Sequence, residues 1–173
     1  MTSKNNQTVE TTENEIIFTR TFHAPRELVF ETHTTCEHLM NWWGPRSWPL
    51  NYCDMDFRPG GQWHYCMKGP NEGDESWGLA KYKEITEPEK IIYNDYFSDE
   101  DGSINTNMPA FDTIITFKSD GKDTIVKVAS KVGSKEEVEK LVEMGMIEGF
   151  TETWDRLEVH LAVLQEKNKG KEI

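Results

Sequence analysis

Near the end of the chain, apolar side chains recur at three- and four-residue steps: Ile147, Phe150, Trp154, Leu157, Leu161 and Leu164. That spacing places them on one stripe of an α-helix, and such a stripe has to be covered. Ser134 followed by Glu137 reads as a capping box, which starts a helix there. Gly145 and Gly149 fall inside the pattern, each costing about 1 kcal/mol relative to alanine in a helix interior. The spacing therefore predicts a short leading helix, a break, and a main helix over about 146–166.

Upstream the period changes. Residues 15–22 alternate and are β-branched, as in a strand. Pro25 suits a helix start, so 26–34 and 36–43 read as two short helices, the second stopped by Gly44-Pro45. Near period-two alternation then predicts strands over 50–57, 62–68, 76–85, 90–98, 111–118 and 124–132, separated by Gly, Pro, Asn and Asp clusters. With the first strand that makes seven. Residues 1–14 are too polar to offset the entropy of ordering and read as a flexible lead, and 167–173 as a charged, fraying tail. Between them, 15–166 read as one domain of the α+β class. The simplest closed arrangement is a seven-stranded curved antiparallel sheet around the long C-terminal helix, with two short helices beside it.

Composition removes several function classes. A net charge of -12 and a pI near 4.9 repel a nucleic-acid backbone or an anionic membrane. There is no basic start followed by an apolar run and no stretch of about eighteen apolar residues, so the expectation is a cytoplasmic protein. Three cysteines at irregular spacing read as reduced thiols.

Four segments in order carry a resemblance: Phe22-His23-Ala24-Pro25, Trp42-Trp43-Gly44-Pro45, Phe57-Arg58-Pro59-Gly60-Gly61, and Gly145-Met146-Ile147-Glu148-Gly149-Phe150 leading to Trp154-Asp155-Arg156-Leu157. Together they resemble the family of homologues of the ATPase activator of heat-shock protein 90, within the START-like (SRPBCC) superfamily. The resemblance implies the helix-grip, birch-pollen-allergen-like fold, with an apolar cavity between sheet and C-terminal helix. It also implies the uses to which relatives put that cavity: holding lipids, sterols or polyketides, cyclising polyketides, or contacting a chaperone. It carries over no fixed catalytic set.

The aromatic residues Trp63, Tyr65, Trp77, Phe111, Phe150 and Trp154 are the candidate lining of such a cavity, and an ordinary packed core is the competing account. The run His33-Thr34-Thr35-Cys36-Glu37-His38 looks like a metal cluster, but on one helix Cys36 and His38 point about 200° apart, so no metal site is expected. Cys53 and Cys66 flank the Pro59-Gly60 turn symmetrically. The hydrophobic pattern favours the shifted register, with Cys53, Met55 and Phe57 beside the aromatics, over one that pairs the two cysteines. Asp54, Asp56, Asp95, Asp112, Glu152, His64 and His160 are the acid–base candidates, with Glu152 preferred for its place one turn from Phe150 and Trp154. The long connection 99–110 is expected to gate the cavity mouth, with Met108 and Phe111 at its rim. These readings converge on a protein that sequesters a small hydrophobic molecule without transforming it and without a cofactor. Two rivals remain, a module that regulates a heat-shock chaperone ATPase and a cyclase- or hydrolase-type enzyme.

Overall fold

The computed structural model describes residues 7–171, with side chains to residue 169. The chain runs β1 (Gln7–Thr11), β2 (Glu15–Phe22), α1 (Arg26–Glu31), α2 (Cys36–Trp42), then β3 (Leu50–Met55), β4 (Gln62–Lys68), β5 (Glu75–Thr86) and β6 (Lys90–Phe97). It continues through β7 (Phe111–Asp120), β8 (Asp123–Lys131), α3 (Lys135–Glu143) and α4 (Met146–Lys171). All strands join one curved antiparallel sheet in the order β1-β2-β8-β7-β6-β5-β4-β3.

The sheet has eight strands, not seven, because residues 7–11 of the expected flexible lead pair with β2 from Gln7↔Arg20 to Thr11↔Ile16. The correction has a physical reason: backbone hydrogen bonds along a sheet edge need no apolar side chains, and composition cannot reveal them. Residues 1–6 of that lead and 172–173 of the expected tail lie outside the described residues. The part of the tail that is described, 167–171, continues α4 rather than fraying.

Along β2 the buried positions alternate strictly, sending Ile16, Phe18, Arg20 and Phe22 to the concave face. α4 lies on that face, with Trp154, Leu157 and Leu161 buried beneath it. Arg20 is buried among them and neutralised from the helix, by Asp155 at 2.9 Å and Glu158 at 3.3 Å, while the Gln7 side chain accepts another of its N–H groups at 3.0 Å. The capping box forms with one variation: Ser134 Oγ accepts the Glu137 N–H, whereas the Glu137 carboxylate accepts the N–H of Gly133. Between α3 and α4, Gly145 has φ of 90°, a left-handed conformation that ends the first helix and lets the second set off in a new direction.

Register in the β3–β4 hairpin is the shifted one, with Cys53 opposite Tyr65 and Met55 opposite Trp63. Cys53 instead meets Cys36 at the start of α2, and the two form a disulfide, leaving Cys66 as the free, buried thiol. This corrects the expectation of three reduced thiols. Linear spacing could not show that α2 lies across β3. The bonded pair also removes the thiol argument for a cytoplasmic protein. No helix among the described residues is long and apolar enough to cross a membrane.

Candidate functional site

Beneath the first turns of α4 the interior is not filled. A cavity of about 290 Å³ opens there, walled by β2, β4–β8, the end of α3, the start of α4 and the turn after α2. Phe18, Phe97, Phe111, Phe150, Leu141 and Met146 supply apolar surface, and the half-exposed Met144 stands at the rim. The polar exceptions are few. The Thr113 and Ser130 hydroxyls sit 3.3 Å apart on neighbouring strands, and Tyr65, Tyr93 and Asp95 stand on β4 and β6.

Tyr65 and Asp95 make contact across an intervening strand. Tyr65 on β4 pairs with Gly78 on β5, which pairs in turn with Phe97 on β6. Because Gly78 has no side chain, the phenol lies flat across it, and any Cβ at that position would collide with the Tyr65 ring. The hydroxyl thereby donates to the Asp95 carboxylate, 3.1 and 3.2 Å from its two oxygens. Asp95 is part of the cavity wall and only partly exposed. Burial pushes Asp95 up to about 7, against the opposing hydrogen bonds from Tyr65 and the Tyr96 N–H. Burial, and after it the nearby Asp95 charge, holds the Tyr65 and Tyr93 phenols well above their usual range, so both keep their protons.

A profile of the Activator of Hsp90 ATPase homolog 1-like protein family matches residues 23–162, a span that holds every element from α1 to β8 and nearly all of the cavity wall. The chain belongs to that family. Solved structures agree with the assignment. A solution structure from Arthrobacter aurescens is 25% identical, with a TM-score of 0.83 over 90% of this chain and 91% of its own. One from Staphylococcus epidermidis is 30% identical with a TM-score of 0.79, covering 90% and 93%. A crystal structure from Mycobacterium smegmatis is 28% identical with a TM-score of 0.80, covering 88% and 95%. No curated protein matches the chain.

Within this family member the six aromatic candidates divide. Tyr65, Phe111 and Phe150 line the cavity. Trp77 borders it, but the strand's alternation turns its indole to the face opposite Tyr65, its ring centroid 5.0 Å from His64 and 5.4 Å from Tyr52. Trp63 and Trp154 are packed instead: Trp63 stacks on Tyr65 at 4.3 Å and meets Trp43 edge-on at 4.9 Å, and Trp154 meets Phe22 at 5.3 Å. Met67, Tyr93 and Phe97, which alternation along their strands turns to the same face, also line it, as do Trp43, Thr113 and Ser130, which no sequence pattern marked.

The other expectations also change. Glu152 takes no part in the cavity wall and accepts the backbone N–H of Arg46 at 3.1 Å, so Asp95 replaces it as the carboxyl of the site. The signal for Asp95 was present in the alternation, since Tyr93 and Asp95 must share a face of one strand. Met108 is absent from the lining, whereas Phe111 is part of it. The connection after β6 is folded back on itself by the Ser98↔Ile104 bridge. The His33–His38 run separates into three roles: His33 is buried against the Val29 carbonyl at 2.9 Å, Cys36 is in the disulfide, and His38 meets His160 at 3.0 Å.

Proposed function

We propose that the protein binds a small hydrophobic molecule in this cavity and holds it without chemistry. The observation that carries the reading is the hollow itself, mostly apolar, enclosed by sheet and helix, with few polar groups to orient a guest. Its size bounds the guest. A dry cavity of about 150 Å³ already accepts a benzene ring, so about 290 Å³ suits one or two rings and not a two-chain lipid. Native mass spectrometry of the purified protein, followed by a thermal-shift screen of one- and two-ring apolar compounds, tests it. A midpoint that climbs with ligand concentration is the expected result. A broad screen with no shift and no copurifying mass removes the reading.

Two observations favour other readings. On α4, Val159 is 63% and Val163 46% exposed beside Arg46 and Arg156, an apolar strip where a chaperone ATPase of the kind in the family name could dock. A pull-down with a heat-shock chaperone that fails for Val159→Glu would support that role. A carboxyl with a raised pKa at the wall is what a cyclase- or hydrolase-type enzyme needs, and turnover lost in Asp95→Asn would support that one.

A further inference from the structure

We infer that the guest is a hydrophobic amine, its aromatic or aliphatic body in the apolar part of the cavity and its ammonium group on Asp95. The inference rests on the ligand-binding reading and names the chemical class of the ligand. Three features of the wall point the same way.

Asp95 is the one carboxylate of the lining, and no lysine, arginine or histidine stands among the described lining residues. Salt bridges among the described residues leave Asp95 out as well. Its hydrogen bonds come from Tyr65 and the Tyr96 N–H, both neutral donors. An enclosed carboxylate without a counter-charge is costly, and a cation brought in by the ligand relieves that cost. A carboxylate ligand such as a fatty acid meets the reverse situation, with like charge and no cation to pair with.

Around Asp95 the wall is aromatic. Tyr65, Tyr93, Phe97, Phe111 and Trp43 all line the hollow. The faces of such rings attract an ammonium group, most strongly where water is excluded. The net charge of -12 adds a long-range field that draws cations in and turns anions away.

The pH dependence follows from the groups that face Asp95. These are Tyr65 from β4, Tyr82 from β5 and Tyr93 on β6, all protonated throughout the working range. From α3, α4 and the turn after α2, no charged side chain joins the lining. Asp95 is thus the group that titrates, at about 7 in the empty cavity. Below that pH it is neutral and gives an ammonium nothing to pair with. Amine affinity therefore rises through pH 6–8, then levels off until the amine itself loses its proton, for an alkylamine about pH 10.

Thermal shift and calorimetry with three matched probes test this: 2-phenylethylamine, 2-phenylethanol and phenylacetate, with naphthalene as a neutral, two-ring fluorescent reporter of the cavity. At pH 8 the amine should bind about tenfold or more tightly than the alcohol, as a charge-assisted hydrogen bond implies, with the carboxylate weakest. Asp95→Asn should bring amine and alcohol to equal affinity. If that variant does not fold, the wild-type pH profile decides, because only the amine should gain affinity between pH 6 and 8. Equal binding of the three probes, or preference for the alcohol or carboxylate, overturns the amine assignment. If the reporter still binds in that case, the cavity reading stands without it. If neither the reporter nor any probe binds, both fail.

Discussion

Two stretches of one helix meet the same sheet in opposite ways. Over the middle of α4, Trp154, Leu157 and Leu161 share one buried cluster with Phe22, Phe117 and Val126 of the sheet, Trp154 edge-on to Phe22 at 5.3 Å. Over its first turns, Met146, Gly149, Phe150 and Thr153 face an opening. The helix continues across both, and the difference comes from smaller side chains on each layer, Gly149 and Thr153 on the helix among them. Toward one end the concave rows carry Phe117, Ile115 and Val126; toward the other, Thr113, Ser130 and Gly78 stand among the lining rings. Smaller side chains on both layers leave space, since rigid elements cannot settle into it. A cavity is thus written in side-chain volume across several strands, not in any one stretch of sequence.

The largest effect should come from removing the ring that defines the solid side. Trp154→Ala should cost about 3–5 kcal/mol, the usual range for a large aromatic lost from a filled core. Phe150→Ala should cost about half as much or less, because Phe150 already borders empty space. Chemical denaturation of both variants checks this, and equal losses would erase the distinction between the two regions.

Next come the two buried titrating groups, one on each side. His33, between Trp42 at 4.9 Å and Phe117 at 5.1 Å, is lowered by burial from 6.5 to about 4, with the Val29 hydrogen bond opposing and the His38 charge assisting. Between those values the unfolded chain holds a proton that the folded one does not. Its stabilising share is therefore present above pH 6.5 and lost as pH falls toward 4, roughly 3 kcal/mol in all. Asp95 behaves oppositely. Its carboxyl rises from 3.8 to about 7, so the folded chain holds the extra proton, and stability is lost as pH rises across that interval. The loss is roughly 2–4 kcal/mol, reduced from the full shift because Asp95 borders the hollow and keeps partial exposure. Denaturation midpoints over pH 4–8 for wild type, His33→Asn and Asp95→Asn should diverge in opposite directions. Parallel curves for wild type and either variant would count against the burial of that group.

The smallest change sharpens the comparison most. Gly78→Ala places a methyl under the Tyr65 ring and should cost about 1–2 kcal/mol as the ring is displaced. Moving the phenol off Asp95 should also alter the pH at which Asp95 titrates, read by carboxyl carbon NMR. A methyl that leaves both quantities unchanged would show that the phenol does not rest on Gly78.

The sequence showed the helical stripe, the capping box and the β3–β4 register because each is a local pattern with a fixed period. Membership of the lining was legible only in part. Trp154 and Phe150 share a stripe, and what separates a packed ring from a lining ring is the set of residues around it, drawn from elements far apart along the chain. Glu152 was preferred over Asp95 by distance along the helix, although Asp95 alternates with Tyr93 onto the inner face. β1 had no apolar pattern to read, and the Cys36–Cys53 pair depends on how α2 crosses β3.

That crossing has an effect on how molecules of this protein meet one another. β3 is an outer border of the sheet, with unpaired backbone groups along one side, the kind of border that recruits strands from other chains. The disulfide fastens Cys53, within β3, to a helix held against α4 by Arg156, which donates to the Trp43 and Gly44 carbonyls. Exchange of β3 between two copies is blocked covalently, and reducing agents should raise the tendency to self-associate.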